Sequence, residues 1–572
     1  MNKIQKSDGL FLWINKFYFL TTLAIITRLF YLQIYLGPIY TAQSRKNYIR
    51  HQHIAAPRGQ ILDCNRKPLV TNIPIRSLYW QSTGKSRLTD EQKRIISQLS
   101  YVCQISYDEQ LIQTIAQAEK RNHPLLLYHN ITFHQLATIE EMFSDHPNIV
   151  IKTEFKRSYP YKKAASHIIG YLGNIHAEST GKMGLEKAAE MKLQGHDGAI
   201  IKTINSYGKE IHTDIIEHAI AGTDIETTID IDLQKIAEKN FSDEYIGTCI
   251  IMDPETGALK TLLSRPNFDP NIFLEPIYYQ QWKELQEHQP FLNRAVHCSY
   301  PPGSLFKLIT ISAALETELI SPDDMHNCKG YIHYGDRDYW CNRHNGHDII
   351  SVRQGLALSC NTLFYELGKK LSINTLADYA QRFGLGQKTG FLLSEAIGLI
   401  PTTSWKRETK GEPWWQGETL SASIGQSYLL TTPLQIARMF SGIFVGYLPK
   451  PRILKDEPIE KNPLYIKPET LEFLKKSMKS VVTEGTGRRV NRIKDIEVYA
   501  KTSTAQISTI DKRGLGQQYF EHGWVVVHFT IKGQKPLILV VLVEHAGTSR
   551  IPVIIAKNLL LDYKKYYERR TP

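Results

Sequence analysis

The chain has 572 residues, 42% of them hydrophobic and 10% aromatic, with a net charge of +12. Length and composition belong to a globular protein of two to four domains with large cores, and they exclude a small disulfide scaffold. The basic residues are spread, not blocked or striped, so the charge reads as a solvated surface compatible with anionic lipid or wall polymer and makes no case for nucleic-acid binding.

Residues 1–9 carry Lys3 and Lys6 and read as a cytoplasmic tail. Residues 10–36 are apolar, broken by Asn15, Lys16, Arg28 and Gln33. The cleanest part, Phe17 to Thr27, is shorter than the ~20 residues a bilayer needs. Counted from Leu10 to Leu36, with Lys16 and Arg28 snorkelling, the stretch can span. No small-x-small cleavage site follows, so the expectation is an uncleaved signal anchor, set against the plainer reading of a buried helix. Lys3 and Lys6 favour a cytoplasmic N-terminus, while Arg45, Lys46 and Arg50 weigh the other way. With the first orientation, nearly all of the chain lies outside the cytoplasm.

Residues 45–215 read as one mixed α/β domain with an insertion at about 80–150. Pro57-Arg-Gly-Gln-Ile-Leu-Asp63 opens a strand-turn-strand over 54–75, and helical runs surround Glu91–Leu99 and Asp108–Glu119. Glycines between 170 and 184 imply tight turns, and no nucleophile pairs with a base there, so the domain reads as structural. From 220 to 565 the texture changes. Asp224–Asp232 alternates like a strand and leads into a helix from Leu233 to Asn240. Gly247–Met252 and Ala258–Leu263 flank an Asp-Pro-Glu-Thr-Gly turn as a hairpin. Val498–Thr504, Trp524–Phe529 and Leu537–Glu544 read as strands, and Ile554–Leu561 as a final helix. Strands at both ends with helices between predict an α+β domain whose sheet is closed by the two ends of its sequence.

Three short motifs carry chemistry. In Tyr300-Pro-Pro-Gly-Ser-Leu-Phe-Lys307, a turn delivers Ser304 to the apolar helical run Leu305–Leu315. Lys307 follows one turn later on the same side. A hydroxyl at a helix start with a desolvated amine in reach is one way to build a nucleophile and its base. The same spacing at Ser82…Lys85 and Ser179…Lys182 opens no apolar helix and reads as coincidence. Gly84-Lys85-Ser86 lacks the first glycine of a phosphate loop, because Tyr79 stands there. The second motif is Ser359-Cys-Asn361, whose hydroxyl and amide would face a cleft. The third is Lys501-Thr-Ser-Thr504, where strand alternation pairs Lys501 with Ser503 on one face and Thr502 with Thr504 on the other. Cys328, Cys341, His347 and Cys360 add three thiols and an imidazole, a tetrahedral zinc set by ligand type but with spacings unlike a zinc finger's.

The order Ser-x-x-Lys, Ser-x-Asn, Lys-Thr-small is that of penicillin-recognising serine enzymes. The sequence resembles the class B penicillin-binding proteins, most of all the elongation-type penicillin-binding protein 2 branch. The likeness extends over Arg28–Gln33, Arg58-Gly59…Asp63, Tyr159-Pro160…His167…Gly170-Tyr171…Gly173 and Gly184–Lys187. It continues through Asp253-Pro…Thr256-Gly257, Asn293-Arg-Ala295, Gly425-Gln426…Thr432-Pro-Leu-Gln435 and His522…Trp524.

The resemblance implies a membrane helix, an elongated pedestal and a penicillin-binding domain with a central antiparallel sheet flanked by helices. It implies a D,D-transpeptidase with catalytic Ser304, Lys307, Ser359 and Asn361. Ser304 would attack the penultimate D-alanine carbonyl of a stem peptide ending in D-Ala-D-Ala, with Lys307 as base and Ser359 as proton relay. Asn361 would orient the acyl amide, Lys501 and Thr502 would bind the terminal carboxylate, and Ser503 and Thr504 would line the substrate strand. The N–H groups of Ser304 and Thr504 would hold the oxyanion, and β-lactams would acylate Ser304. Acyl transfer itself would need no cofactor. A subset of the family carries a similar Cys/His set, which implies structural zinc on Cys328, Cys341, His347 and Cys360, with His344 as the alternative imidazole. A Cys328–Cys341 disulfide is the competing reading in an oxidising compartment. Implied partners are a RodA-type glycosyltransferase and an elongation-complex scaffold, at the inner membrane with the catalytic domain in the periplasm. Two departures stand out: Ser503 replaces the family's glycine, and Cys64 and Arg66 replace its arginine and glycine after Asp63. The other readings are a membrane-anchored β-lactamase and a non-catalytic β-lactam sensor or wall-synthesis scaffold.

Overall fold

The computed structural model describes residues 4–569 except 105, 122, 145, 174–179, 205–209, 276, 492 and 507–514. Lys3 and Ser179, named above, lie outside the described residues. The chain divides into two compact units. One holds the residues up to Arg58, with Asn72–Lys156 and Gln194–Gly222; the other holds Gly59–Thr71, Arg157–Leu193 and Thr223–Pro572. The span 45–215 therefore contributes to both units. The reason is apolar: Ile61, Leu69, Val70, Tyr159, Ile168 and Leu185 share a core with Leu259 and Leu262. Arg157, buried with Glu186 at 2.8 Å, adds an ion pair to that junction.

In the first unit the N-terminal helix Ile4–Phe30 continues through a wide turn, Tyr31–Tyr35. Phe11–Tyr35 has a mean hydropathy of 1.5 and buries nothing against the protein, so it is a candidate membrane anchor by length and composition. Two of its hydroxyls are satisfied internally: Thr21 and Thr27 donate to the carbonyls of Phe17 and Leu23 at 3.0 and 2.8 Å, as suits an apolar solvent. A three-stranded antiparallel sheet of Ile49–Ile54, Gly198–Ile204 and Glu210–Glu217 follows. Helices Asp90–Cys103, Glu109–Arg121 and Phe133–Phe143 pack around Leu78, Trp80, Ile96, Leu99, Ile115 and Ile139. Thr89 and Thr132 close two of these helices with reciprocal capping bonds to Gln92 and Gln135.

The second unit is built on a five-stranded antiparallel sheet. Its order is Leu259–Arg265, Gly247–Met252, Leu537–Val543, His522–Ile531, Ile496–Ala505. The strands come from both ends of the unit's sequence, as expected. All seven residues of Leu537–Val543 are buried, so this strand reads as a continuous apolar run with no alternation. Both faces are covered. Ile250, Val526, Val540 and Leu542 meet the helices Lys307–Glu316 and Pro433–Val445 on one side. Cys249, Val525, Leu539 and Val541 meet Ile231–Asn240 and Arg550–Glu568 on the other. At about 1.5–3 kcal/mol per buried aliphatic side chain, these two layers hold the sheet rigid beneath the site.

One stretch departs from the sequence reading. Asp224–Asp232 is a strand only at Ile225–Glu226. Asp230 instead caps the helix Ile231–Asn240, accepting from the N–H groups of Asp232 and Leu233 at 3.0 and 3.3 Å. Arg66 takes a left-handed conformation with φ of 64°. Asp63 holds it by accepting from the N–H groups of Asn65 and Lys67 at 2.8 and 2.7 Å, which offsets about 1 kcal/mol of backbone strain.

Candidate functional site

The segment that carries Ser304 is fixed before its helix begins. Pro301 and Pro302 have no N–H to donate, so the turn is tied through its neighbours. Tyr300 exchanges both backbone bonds with Thr431 at 2.9 Å. Its hydroxyl donates to Glu544 at 2.6 Å, and the same carboxylate oxygen accepts from Arg294 Nε at 2.9 Å. Gly303 has φ of 53° and donates to the Gly425 carbonyl at 2.9 Å; a side chain at Gly425 would strike the Gly303 backbone. Ser304 then sits in a 3-10 turn, Gly303–Leu305, and the α-helix starts only at Lys307. The expected helix is thus two pieces, and the tighter turn lifts Ser304 to the helix mouth.

Lys307 is wholly buried and makes three bonds: to the Ser359 carbonyl at 2.8 Å, Ser359 Oγ at 3.2 Å and Asn361 Oδ1 at 2.7 Å. Ser359 Oγ donates to Ser304 Oγ at 2.9 Å. No direct hydrogen bond joins Lys307 to Ser304 among the described residues; Ser359 stands between them. Burial pushes Lys307 from 10.5 down to about 8, against a smaller opposing pull from the Cys360 and Cys341 sulfurs. Lys501 also donates to Ser359 Oγ, at 3.3 Å, and is held well below its ordinary value by burial and then by the neighbouring Lys307 charge. One hydroxyl therefore collects the nucleophile and two amines.

Ser359 takes a left-handed conformation, φ 57°, between the helices Val352–Ala357 and Asn361–Lys370. For a non-glycine residue this conformation costs about 1–3 kcal/mol. The strain turns its carbonyl and hydroxyl onto Lys307 together. Asn361 Nδ2 donates to the Trp340 carbonyl at 3.1 Å, which leaves Oδ1 for Lys307.

Lys501–Thr504 lies on Ile496–Ala505, the edge strand of the sheet, with one row of backbone groups that no other strand among the described residues pairs. Lys501 and Ser503 face Ser359 and the serine turn, as alternation requires. Thr502 Oγ1 meets Thr486 Oγ1 at 2.6 Å on the other face, and Thr504 is exposed. Ser503 bonds back onto the serine turn. The residue is 3% exposed, and its hydroxyl donates to the Pro302 carbonyl at 2.9 Å.

Cys328, Cys341, His347 and Cys360 also converge, with their ligand atoms within 4.8 Å of one another. Cys341 Sγ lies 3.8 Å from Cys360 Sγ, and His347 Nδ1 lies 3.4 and 3.6 Å from Cys328 and Cys341 Sγ. A tetrahedral zinc with ordinary bond lengths needs ~3.8 Å between sulfurs and ~3.6 Å from sulfur to nitrogen. The donor set fits. All seven cysteines are free thiols, so the Cys328–Cys341 disulfide is not formed. His344, the alternative ligand, stacks on Trp340 at 5.0 Å instead. The bond between the two sulfurs holds the Cys341 thiol below its ordinary range and pushes Cys360 up, and the Asn361 N–H, 3.3 Å from Cys341 Sγ, adds to the lowering at Cys341.

Glu544, Arg294, Tyr300, Thr431 and Thr486 were not singled out by chemistry in the sequence. Asn293-Arg-Ala295 and Gly425-Gln426 were visible only as family likeness; of these, Arg294, through Glu544, and Gly425, through Gly303, hold the serine turn.

The chain is similar to known proteins along most of its length. Residues 247–561 match the penicillin binding protein transpeptidase domain, and residues 53–227 match the penicillin-binding protein dimerisation domain. The chain is 28% identical to the peptidoglycan D,D-transpeptidase MrdA of Acinetobacter baumannii, over 96% of this chain and 86% of that one. It is also 28% identical to the Haemophilus influenzae protein of the same name, over 97% and 90%. Among solved structures it is similar to the Helicobacter pylori penicillin-binding protein (PBP2) in its complex with MreC. There the TM-score is 0.79 at 26% identity, covering 91% of this chain and 99% of that one. A chain of a peptidoglycan synthase complex matches with a TM-score of 0.75 at 28% identity, covering 97% and 98%.

Proposed function

Because the chain belongs to the penicillin-binding protein transpeptidase family, we propose that it is the peptidoglycan D,D-transpeptidase of cell-wall elongation. The observation that carries this reading is the hydrogen-bonded set in which Ser359 Oγ links Ser304, Lys307 and Lys501. Ser304 Oγ attacks the penultimate D-alanine carbonyl of a stem peptide. Its proton passes to neutral Lys307, with Ser359 Oγ as the bonded bridge of the resting site. The N–H groups of Ser304 and Thr504 receive the oxyanion, each such donor being worth about 3 kcal/mol in acyl transfer. Lys307 returns the proton through Ser359 to the departing D-alanine amine. An amine of a neighbouring stem peptide then takes the acyl group from Ser304 and completes the cross-link.

The terminal carboxylate is assigned to Lys501 and Thr502. An anion beside Lys501 also offsets the repulsion between the two amines at Ser359. Asn361 serves as the holder of Lys307 and of the acyl amide. A β-lactam follows the same first step and remains on Ser304.

Cys328, Cys341, His347 and Cys360 are assigned to one structural zinc ion. A closed set of four ligands leaves no open position for substrate, so the ion supplies rigidity alone. Cys360, between Ser359 and Asn361, ties the second motif to that brace. The N-terminal helix is assigned as a single-pass inner-membrane anchor, with the catalytic unit in the periplasm. A RodA-type glycosyltransferase and the elongation scaffold are assigned as partners, supported by the likeness to a synthase-complex chain and to a relative solved with MreC.

The test supplies purified full-length protein with a pentapeptide donor and an amine acceptor. Release of D-alanine with formation of the cross-linked product, both lost in Ser304→Ala, is the expected outcome. Rapid turnover of penicillin without cross-linking would make the protein a β-lactamase and refute the proposal.

A further inference from the structure

The two segments assigned as oxyanion donors belong to different elements: Ser304 to the turn after Pro302, and Thr504 to the edge strand. One side chain joins them. Ser503, next to Thr504, donates its hydroxyl to the carbonyl of Pro302, two residues before Ser304, at 2.9 Å. The Leu305 N–H shares that carbonyl at 3.3 Å. The two prolines of the turn cannot donate in return, so a carbonyl is the natural attachment point there and a hydroxyl on the strand its natural partner. The fit is mutual. Gly303 carries φ of 53°, and a Cβ on it would collide with Ser503 Oγ. Ser503 is 3% exposed, so the bond is shielded from competing water.

We propose that Ser503 is a positioning residue that sets the spacing of the oxyanion hole by bonding the strand of Thr504 to the turn of Ser304. The inference rests on the transpeptidase reading above. It reverses the expected significance of a serine at this place: the hydroxyl does not narrow the substrate path but braces the site from behind. The consequence is a separation of two steps. Substrate or drug docks on Lys501 and Thr502, which the bond does not touch. Formation of the tetrahedral intermediate needs both N–H groups at one distance, which the bond controls.

The experiment follows acylation of the full-length protein by a chromogenic cephalosporin in stopped flow, separating noncovalent affinity from the acylation rate at saturation. Ser503→Ala and Ser503→Gly are compared with wild type, with thermal unfolding measured on each. The expected result is an acylation rate lowered about five- to tenfold, the size of one net hydrogen bond, in both variants. Affinity should be unchanged, and so should the pH midpoint of the rate, because the base is untouched. Wild-type acylation rates in both variants would overturn the inference, as would a loss confined to affinity, which would return Ser503 to the substrate strand. A wild-type protein that is not acylated at all would instead refute the function on which the inference stands.

Discussion

If Lys307 is the base, acylation must follow the neutral amine. An ordinary lysine at 10.5 is ~0.03% neutral at pH 7, whereas one at about 8 is ~10% neutral, a gain of some 300-fold in active base. The cause is burial, since Lys307 is wholly enclosed and bonded to Ser359 and Asn361. The sign is fixed by the chemistry. Protonation removes the lone pair, so the rate must fall as pH falls. The saturated acylation rate with a chromogenic cephalosporin, measured from pH 6 to 9.5, should rise about tenfold per unit below 8 and level off above it. Asn361→Ala removes an acceptor that favours the charged form and vacates space for water. The two effects oppose each other in the pKa, but both loosen Lys307, so the plateau should drop by about 10²-fold whatever the midpoint does. A rate flat from pH 6 to 9, or one rising as pH falls, would refute Lys307 as the base.

Other consequences are equally direct. Gly303→Ala places a side chain where φ is 53° and Ser503 Oγ already sits; penicillin labelling should be lost while the circular dichroism of the fold is kept. Glu544→Ala strips the partner of buried Arg294 and of the Tyr300 hydroxyl. It should destabilise the catalytic unit by about 3–5 kcal/mol, read by chemical denaturation, and slow acylation as the serine turn loosens. Purified protein should carry one zinc per chain by elemental analysis. Cys341→Ser should lose the metal, lower the melting temperature and reduce acylation through the slackened second motif, and a metal-free wild type with native stability would contradict the assignment.

The sheet was legible because its strands are saturated with Val, Ile and Leu and covered on both faces. Asp224–Asp232 misled because alternation and an N-cap aspartate write the same letters, and the cap at Asp230 prevailed. Ser304, Lys307, Ser359, Asn361 and Lys501 could be picked out by motif order, and the structure brings them together. What order could not reveal was direction. Ser503 reads as part of a substrate strand, yet its hydroxyl turns onto Pro302 because Gly303 leaves room. His347 was the expected ligand and His344 the alternative, three residues apart. Gly346, at φ 81°, reverses the chain between them and leaves His347 with the sulfurs and His344 on Trp340. The Tyr300–Glu544 bond spans 244 residues, and no local pattern announces a contact of that range. For the same reason 59–71 and 157–193 could not be seen to pack with the catalytic unit.

The central claim is a Ser304 acyl-enzyme. Incubation of the full-length protein with fluorescent penicillin, followed by intact-mass measurement and peptide mapping, tests it most directly. The account predicts one stable adduct per chain on the peptide containing Ser304, and none in Ser304→Ala. An adduct that persists in Ser304→Ala, or a wild type that never carries one, would contradict it.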